Sequence, residues 1–455
     1  MEQDTILLTL ALVFGLYAAW NIGANDVANA MGTSVGSKAL TIVQAVVLAA
    51  IFEFLGAVLY GSYVTETLQK GIIELPDTGS SRIVVLGMIS ALFATGLWLH
   101  IASTLGLPVS TTHSIVGAIV GFGICAGGID AICWKEVTAI GLSWIVSPLL
   151  GAVVAFLVFS SLRSAIFFKP VPLAAAKKLM PKLTCFVIFI LTFSLCSSVG
   201  RTSFLTAVIS SIIMATITYL SVLLIEYIYL PKESAHDKSH ADDMQRLIVL
   251  QKMRRKFGET PEIAEEIEAI SARLHPDLHL HLEAVQFRQI EKMFAVLQII
   301  TACMMAFAHG ANDVANAIGP LQAVINALKI PSDLSFLSYG RSMLIFGGFG
   351  IVLGLATYGW KVIETIGKKI TELTPSRGFA AEFAASLTIL LASRLGFPIS
   401  TTHTLVGAVL GVGLAGGLAT LNLRTIRDIA FSWLITIPAG AFFSVVTYQL
   451  LSHLI

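Results

Sequence analysis

Long apolar runs, separated by short polar connections, occupy most of this chain. A helix needs about 20 mostly apolar residues to cross a bilayer. By that measure the pattern predicts twelve helical segments, at roughly 5–24, 40–63, 82–103, 109–130, 137–160, 183–199, 202–230, 293–311, 338–360, 378–394, 399–420 and 427–455. The fold class predicted is an all-α polytopic membrane protein. The abundance of Gly and Pro also predicts broken or re-entrant helices, in particular around residues 109 and 399.

One long polar segment, 231–292, separates the seventh predicted span from the eighth. It is dense in Lys, Arg and Glu, so the positive-inside rule predicts a cytoplasmic loop with both chain termini outside. On that topology 22 of the 29 Lys and Arg residues lie on the cytoplasmic side. Within the loop, Asp242–Gln245 and Thr260-Pro261-Glu262 are typical helix starts. They predict two short amphipathic helices that form either a solvated hairpin or a regulatory binding surface.

Composition narrows the class of protein. Hydrophobic residues make up 56% of the 455 and charged residues only 13%, whereas an ordinary soluble domain carries about 25% charged residues. The net charge of +1 and the lack of a basic stripe argue against nucleic acid as a partner. No nucleophile–base arrangement or closed set of metal ligands is recognisable, so an enzyme is the least favoured class and no cofactor is expected.

Two motifs occur twice. The octapeptide Gly-Ala-Asn-Asp-Val-Ala-Asn-Ala stands at 23–30 and again at 310–317, and Pro-Val/Ile-Ser-Thr-Thr-His stands at 108–113 and 398–403. Matching spans are seven apart, an odd number, so the second copy is predicted to enter the membrane from the opposite face. Such inverted repeats place a binding site at mid-membrane between the copies. The predicted organisation is 1–160 first repeat, 161–230 connecting helices, 231–292 cytoplasmic loop and 293–455 second repeat.

The octapeptides carry acid–amide pairs at bilayer depth. A charged side chain there costs about 2.5–3.5 kcal/mol even on the most lenient insertion scale, and a bound Na⁺ or proton removes that cost. Carboxylate and amide oxygens are ligands that hard cations prefer. The neighbouring small residues either let helices approach closely or let backbone carbonyls turn towards a cation where a helix breaks. We therefore predict cation ligands at Asn25, Asp26, Asn312 and Asp313.

The second motif suits an anion. A proline followed by hydroxyl residues is typical of a helix start, where unpaired N–H groups and the helix dipole favour negative charge. Two such starts, one from each copy, predict an oxyanion site formed by Ser110, Thr111, Thr112, Ser400, Thr401 and Thr402. No Arg or Lys lies within three residues of either triplet, so co-bound cations are expected to balance the charge of the anion. For His113 and His403, orienting hydrogen bonds are favoured over proton carriage.

Two further buried acids are not duplicated. The repeat position of Glu53 is Ile351, and that of Glu382 is Leu92. Each acid is therefore a candidate for breaking the symmetry of the two cation sites, either as an extra ligand or as a proton acceptor. A passive anion channel is disfavoured because carboxylates facing the permeating anion would only hinder it.

The paired motifs, with stretches such as Glu66–Ile73, resemble the PiT-type inorganic phosphate transporter (phosphate permease) family over nearly the whole chain outside the 231–292 loop. The resemblance implies symport of inorganic phosphate with Na⁺ or H⁺ across a cell membrane, an inverted-repeat helical fold and a homodimer. It also implies phosphate at the two Ser-Thr-Thr triplets, cations at the two Asn-Asp pairs, and a requirement for Glu53 and Glu382 in transport.

We expect Na⁺-coupled phosphate import by alternating access. The alternatives are an H⁺-coupled symporter of phosphate or metal-phosphate, a sulfate symporter, since sulfate is also tetrahedral, and an anion channel.

Overall fold

The computed structural model describes residues 2–70, 72–73, 80–169, 171–198, 203–229, 261–273, 276–329, 340–360, 362–363, 374–417 and 423–454, with scattered residues between 243 and 260. These ranges are almost wholly helical; the pairing found in them outside helices is one isolated bridge between Ile73 and Ile132. The all-α prediction is confirmed.

The helices of the first part of the chain are α1 (Glu2–Gly36), α2 (Ile42–Tyr60), α3 (Ser62–Lys70), α4 (Ser80–Thr104), α5 (Thr111–Gly127) and α6 (Trp134–Leu162). A π-helical turn, Arg163–Phe167, continues α6. The later helices are α7 (Pro172–Ser198), α8 (Phe204–Tyr229), α9 (Pro261–Arg273), α10 (Pro276–Ala327), α11 (Gly340–Thr357), α12 (Pro375–Arg394), α13 (Thr401–Gly416) and α14 (Leu423–Leu454). Each of the twelve predicted segments coincides with one of these helices.

Within the described ranges, nine helices are long and apolar enough to span a bilayer. Helices α5 and α13 have only 17 and 16 residues, or about 25 Å at 1.5 Å per residue, which is short of the roughly 30 Å hydrocarbon layer. Each starts after a turn in which Gly106 (φ 67°) or Gly396 (φ 75°) adopts the left-handed conformation that favours glycine. The helices are thus interrupted at the Ser-Thr-Thr motifs, as predicted.

Both octapeptides lie inside continuous helices. The predicted ends at residues 24 and 311 are wrong, because α1 runs on to Gly36 and α10 to Ala327. The small residues serve close helix packing instead of a break. A Cβ built on Gly23 would lie 2.0 Å from the carbonyl oxygen of Ile351, and one built on Gly310 would lie 2.0 Å from that of Glu53. Helix α1 therefore packs backbone to backbone on α11, and α10 does so on α2.

Each helix pair that packs through these glycines joins one helix of the first half of the sequence to one of the second half. Glycine contacts join α5 to α14, through Gly117 and Ile437, and α13 to α6, through Gly407 and Pro148. In the sequence, α1 corresponds to α10, α2 to α11, α5 to α13 and α6 to α14. Each of these four glycine contacts therefore has a counterpart with the copies swapped.

The chain forms two compact units, 1–159 with 298–455, and 160–297. The first contains every predicted site residue. In the second, Leu247 and Leu250 pack with Ile270 of α9. Thr260 caps α9, accepting a hydrogen bond from the Ile263 N–H at 3.4 Å, as the sequence predicts. The helix start predicted at Asp242–Gln245 lies largely outside the described residues, and the four-part division of the chain remains a prediction.

Candidate functional site

Ser110 and Ser400 cap α5 and α13. Each side chain accepts a hydrogen bond from the backbone N–H three residues later, of His113 or His403, at 3.2 Å. Both serines are buried. The predicted helix starts are therefore real, and both lie inside the protein, where an N-terminal turn can offer N–H groups and hydroxyls to an anion.

The two helix tips contact each other. The Thr112 hydroxyl donates to the carbonyl oxygen of Ile399 at 2.9 Å, and the Thr402 hydroxyl donates to that of Val109 at 3.4 Å. These two bonds are counterparts, each joining one copy to the other. The structure thus brings the two predicted triplets together.

The octapeptides supply the polar groups beneath the tips. Thr401 donates to Asp313 Oδ2 at 2.8 Å. Asn29 donates to Asp26 Oδ1 at 3.1 Å and to Thr402 at 2.8 Å. Asn316 makes the matching contacts, donating to Asp313 Oδ1 at 3.4 Å and to Thr112 at 3.3 Å, and it also donates to Thr111 at 3.1 Å. Residue-by-residue prediction singled out Asn25 and Asn312 but not Asn29 and Asn316, although all four belong to the repeated motif.

Asn25 and Asn312 connect helices. The amide of Asn25 donates to Ser103 at 2.8 Å, and that of Asn312 donates to Ser393 at 3.0 Å. Both amides also reach a carbonyl in the turn before the next tip, of Leu107 and Phe397. Their Oδ1 atoms are buried without a hydrogen-bond donor among the described residues. The amide nitrogens therefore hold the tips in place, and the oxygens are left to accept from a ligand or to coordinate a cation.

His309 is the main site residue that the sequence reasoning missed. Its Nδ1 lies 3.2 Å from Glu53 Oε2, and its Nε2 lies 3.0 Å from Asp313 Oδ2 and 3.6 Å from Asp26 Oδ2. All four side chains are fully buried. The repeat position of His309 is Ile22, so duplication could not reveal it. The available signal was its place one helical turn before Asp313, on the same face.

The two aspartates and His309 form a compact polar cluster. Asp26, His309 and Asp313 each offer a ligand atom within 4.8 Å of the others. Two carboxylates at that separation repel by about 3 kcal/mol at an effective dielectric constant of about 20. Glu53 is a third acid, and it contacts the same imidazole, that of His309. A cation or protons between the carboxylates relieve this repulsion. The structure brings the predicted residues Asp26 and Asp313 together, and Glu53 joins them through His309.

Glu382 lies in a different cluster. It accepts hydrogen bonds from Thr33, from Ser34 at 2.6 Å, from Thr301 at 2.8 Å and from the Gln298 amide at 3.3 Å. Ser34 follows Asp26 by eight residues of α1, or about 12 Å at 1.5 Å per residue. The structure therefore separates Glu382 from Glu53, and surrounds it with hydroxyl and amide groups instead of charge.

The rings of His113 and His403 meet edge to face, with an interplanar angle of 86°. Their ring centroids are 4.3 Å apart, and each ring also packs on a tryptophan, with 3.9 Å from His113 to Trp144 and 3.6 Å from His403 to Trp433. The side-chain nitrogens of His113 have no hydrogen-bond partner in the described part of the chain. Ring packing, rather than the orienting hydrogen bonds expected from sequence, positions His113.

The two tryptophans break the symmetry. Trp144 donates its indole N–H to the carbonyl of Pro398 at 3.3 Å. The indole nitrogen of Trp433 is buried and has no partner among the described residues, and Ser432 instead donates to the carbonyl of Pro108 at 3.3 Å. The two copies thus differ in conformation at corresponding positions.

Comparison with known proteins points to one family. Residues 22–444 match the sequence profile of the Phosphate transporter family. The chain is 44% identical over 451 residues to a putative phosphate permease of Chlamydia muridarum, covering 98% of both chains. It is 43% identical over 450 residues to the chloroplastic inorganic phosphate transporter 2-1 of Arabidopsis thaliana, covering 98% of this chain and 72% of that one.

A solved structure is similar as well. It is described as "The sodium-dependent phosphate transporter", and it matches with a TM-score of 0.78 and 36% identity over 99% of this chain and 100% of its own. These relatives are transporters, not enzymes.

Proposed function

The chain belongs to the Phosphate transporter family, and from that premise we propose that this multi-pass membrane protein is a secondary active symporter that imports inorganic phosphate with Na⁺ by alternating access. The observation that carries the proposal is the meeting of two hydroxyl-bearing helix tips, one from each copy, directly beside Asp26 and Asp313. The sodium dependence of the solved relative supports the choice of Na⁺.

We propose that phosphate binds between the tips. Ser110, Thr111 and Thr112 from α5 and Ser400, Thr401 and Thr402 from α13 would supply hydroxyl and backbone N–H donors, the groups that bind oxyanions at helix N-termini. Two of these hydroxyls, of Thr112 and Thr402, donate to carbonyl oxygens across the tips. An entering phosphate oxygen competes for the same donors, so binding and separation of the tips are linked.

We propose that Na⁺ binds at Asp26 and Asp313. Their oxygens, with Oδ1 of Asn25 and Asn312, are hard ligands of the kind that this cation prefers. Without a cation, a divalent phosphate beside three acids is strongly disfavoured. A cation between Asp26 and Asp313 cancels part of this negative charge and puts a positive charge next to the anion, so loading of phosphate depends on loading of Na⁺. This dependence couples the two solutes.

A proton-coupled carrier is the second candidate, and His309 is the observation that favours it. Both its nitrogens face carboxylate oxygens. Only the imidazolium form can donate from both nitrogens at once. A proton on this group would balance the acids as Na⁺ does. The same reasoning applies if the substrate is a metal-phosphate.

Reconstituted vesicles test the proposal. Phosphate uptake is measured under an imposed Na⁺ gradient at equal pH, and under an imposed pH gradient with choline replacing Na⁺. Uptake driven by Na⁺ alone supports the proposal, and uptake driven by the pH gradient alone assigns the H⁺-coupled alternative. Sulfate in place of phosphate tests selectivity. Phosphate currents that persist without either gradient would identify a channel.

The arrangement in the membrane is part of the proposal. Repeats 1–160 and 293–455 are placed in inverted orientation, with 161–230 connecting them, 231–292 cytoplasmic, both termini outside and the protein in the cell membrane. The clustering of Lys and Arg supports this orientation. Labelling of single introduced cysteines at residues 4 and 240 by an impermeant maleimide, in intact and in opened cells, would reveal the opposite orientation.

We also propose a homodimer, as the resemblance implies. Light scattering of the purified protein, corrected for bound detergent, distinguishes one copy from two.

A further inference from the structure

A basic groove lies outside the transport site, in the unit formed by residues 160–297. It has a volume of about 440 Å³ and is lined by Lys169, Lys178 and Lys182 around apolar Val171, Ala175 and Leu179. The groove runs between the π-helical turn that follows α6 and the first turns of α7. None of the residues of the candidate transport site lines this groove.

Helical periodicity explains how α7 contributes. Ala175, Lys178, Leu179 and Lys182 follow the spacing i, i+3, i+4, i+7, so they form one face of the helix. Two lysines therefore border an apolar strip. All three groove lysines are exposed, and their aliphatic stems can lie along the strip while the ammonium groups remain in contact with water.

The local charge is strongly positive. No Asp or Glu occurs between Glu136 and Glu226, so neighbouring sequence does not neutralise the lysines, and no acid is among the described residues that line the groove. An ammonium cluster of this kind attracts anions with several acceptor oxygens.

The surroundings belong to the membrane boundary. Helix α7 is long and apolar enough to span the bilayer, and the groove lies at its first turns. Phe168, beside Lys169, is 64% exposed, and Phe186, one turn after Lys182, is 54% exposed. Arg163 covers the Phe168 ring at 4.9 Å from its centroid. Lys and Arg side chains near the end of an apolar span typically reach the lipid headgroup level while their stems lie on apolar surface.

We propose that this groove binds the headgroup of an anionic phospholipid, with the phosphate on Lys169, Lys178 and Lys182 and the start of an acyl chain on the apolar strip. Basic pockets at the ends of transmembrane helices recognise such headgroups. An apolar strip with exposed phenylalanines near it suits the acyl chain of a lipid. Free phosphate gains nothing from that apolar strip, and none of the described residues that line this groove carries a side-chain hydroxyl like those at the helix tips.

Native mass spectrometry of the purified full-length protein tests the proposal, with phosphatidylglycerol and phosphatidylcholine as probes. Phosphatidylglycerol is expected to remain bound under activation that strips phosphatidylcholine. Each lysine neutralised in Lys169→Gln, Lys178→Gln and Lys182→Gln should weaken retention about fivefold. Lys178→Arg keeps the charge and should retain the lipid. The matched control is Lys135→Gln, an exposed lysine at the start of α6 that has Glu136 beside it.

Three results would overturn the proposal: equal retention of the two lipids, unchanged retention in the combined Lys→Gln variant, or displacement of phosphatidylglycerol by inorganic phosphate, which would assign the groove to a free anion. Binding is read without transport, so the result does not depend on the proposed symport. If the combined variant does not fold, the single variants and Lys178→Arg still decide.

Discussion

Asp26 and Asp313 are buried together at the point where the copies meet, and the proposed coupling depends on their charge. Replacing either by Asn keeps the shape and removes one negative charge. We expect Asp26→Asn and Asp313→Asn each to lower Na⁺-driven uptake by about tenfold or more, because a hydrogen bond or contact to a charged group contributes about 1.5–3 kcal/mol.

The measurement is the dependence of phosphate uptake on Na⁺ concentration in vesicles with equal amounts of folded protein. Asp130→Asn is the matched control, because Asp130 is exposed and lies in a 3₁₀ turn away from the cluster. An unchanged Na⁺ dependence in both site variants would contradict the assignment.

His309 is a basic group in contact with three buried acids. Removing one partner of a buried ion pair costs about 3–5 kcal/mol, so His309→Gln should markedly lower the free energy of unfolding. If the cause is uncompensated charge, Glu53→Gln should restore part of that stability in the double variant. A thermal-unfolding double-mutant cycle measures this coupling. Additive effects would indicate that His309 and Glu53 do not interact.

The residues that sequence reasoning identified and missed share one explanation. Asp26, Asp313 and the two Ser-Thr-Thr triplets were predictable because identical polar residues recur in both copies, where packing alone would accept any small residue. His309 pairs with Ile22 and has no such signal. The different surroundings of Glu53 and Glu382 were also not predictable, because they depend on which helices from the other copy pack against each acid.

At the scale of helices, glycines set the distance between α10 and α2 and between α1 and α11. A Cβ on Gly310 or Gly23 would overlap backbone atoms of Glu53 or Ile351, which cannot move without displacing α2 or α11. We expect Gly310→Ala and Gly23→Ala each to lower the free energy of unfolding by about 1–3 kcal/mol, the usual cost of overpacking.

The control for this prediction is Gly141→Ala in α6, where nothing lies within 4 Å of the added Cβ. Alanine favours helix over glycine by about 1 kcal/mol, so this variant should be neutral or more stable. Thermal unfolding in detergent gives the comparison. Equal stability of Gly310→Ala and wild type would show that the helices can separate at no cost.

Helix positions were more predictable than helix ends. Apolar length located all twelve segments, and Pro108 and Pro398 correctly marked the interruptions. The ends at the octapeptides were predicted wrongly. In the sequence of a single helix, a run of small and polar residues looks like the place where that helix ends. Only the neighbouring backbones, of Ile351 and Glu53, explain why a continuous helix needs Gly at those positions.

On the scale of the whole molecule, the two copies are related but not identical in conformation. Trp144 donates to the carbonyl of Pro398, whereas its counterpart Trp433 has no such partner in the described ranges. Identical residues in different states are what an alternating-access carrier built from repeats requires, since exchange of the two conformations exposes the site to the other side. Sequence cannot reveal such a difference, because both positions carry Trp.

The proposed alternating access demands that the tips separate, and a covalent link between them should therefore stop transport. The Thr112 hydroxyl donates to the backbone carbonyl of Ile399 across the copies. The double variant Thr112→Cys with Ile399→Cys therefore puts one cysteine on each tip at neighbouring residues, in a background lacking Cys125, Cys133, Cys185, Cys196 and Cys303. We expect oxidation to abolish phosphate uptake and reduction to restore it to the level of the unoxidised double variant.

Each single-cysteine variant under the same oxidant controls for damage and for loss of the threonine hydroxyl, and mass spectrometry of the peptides verifies the disulfide. Full uptake with the disulfide formed would mean that phosphate passes without separation of α5 from α13. In that case the contact between the tips stays closed during transport. The linkage between phosphate binding and opening must then be carried by other elements. The α1–α11 and α2–α10 pairs are the next to be tested in the same way.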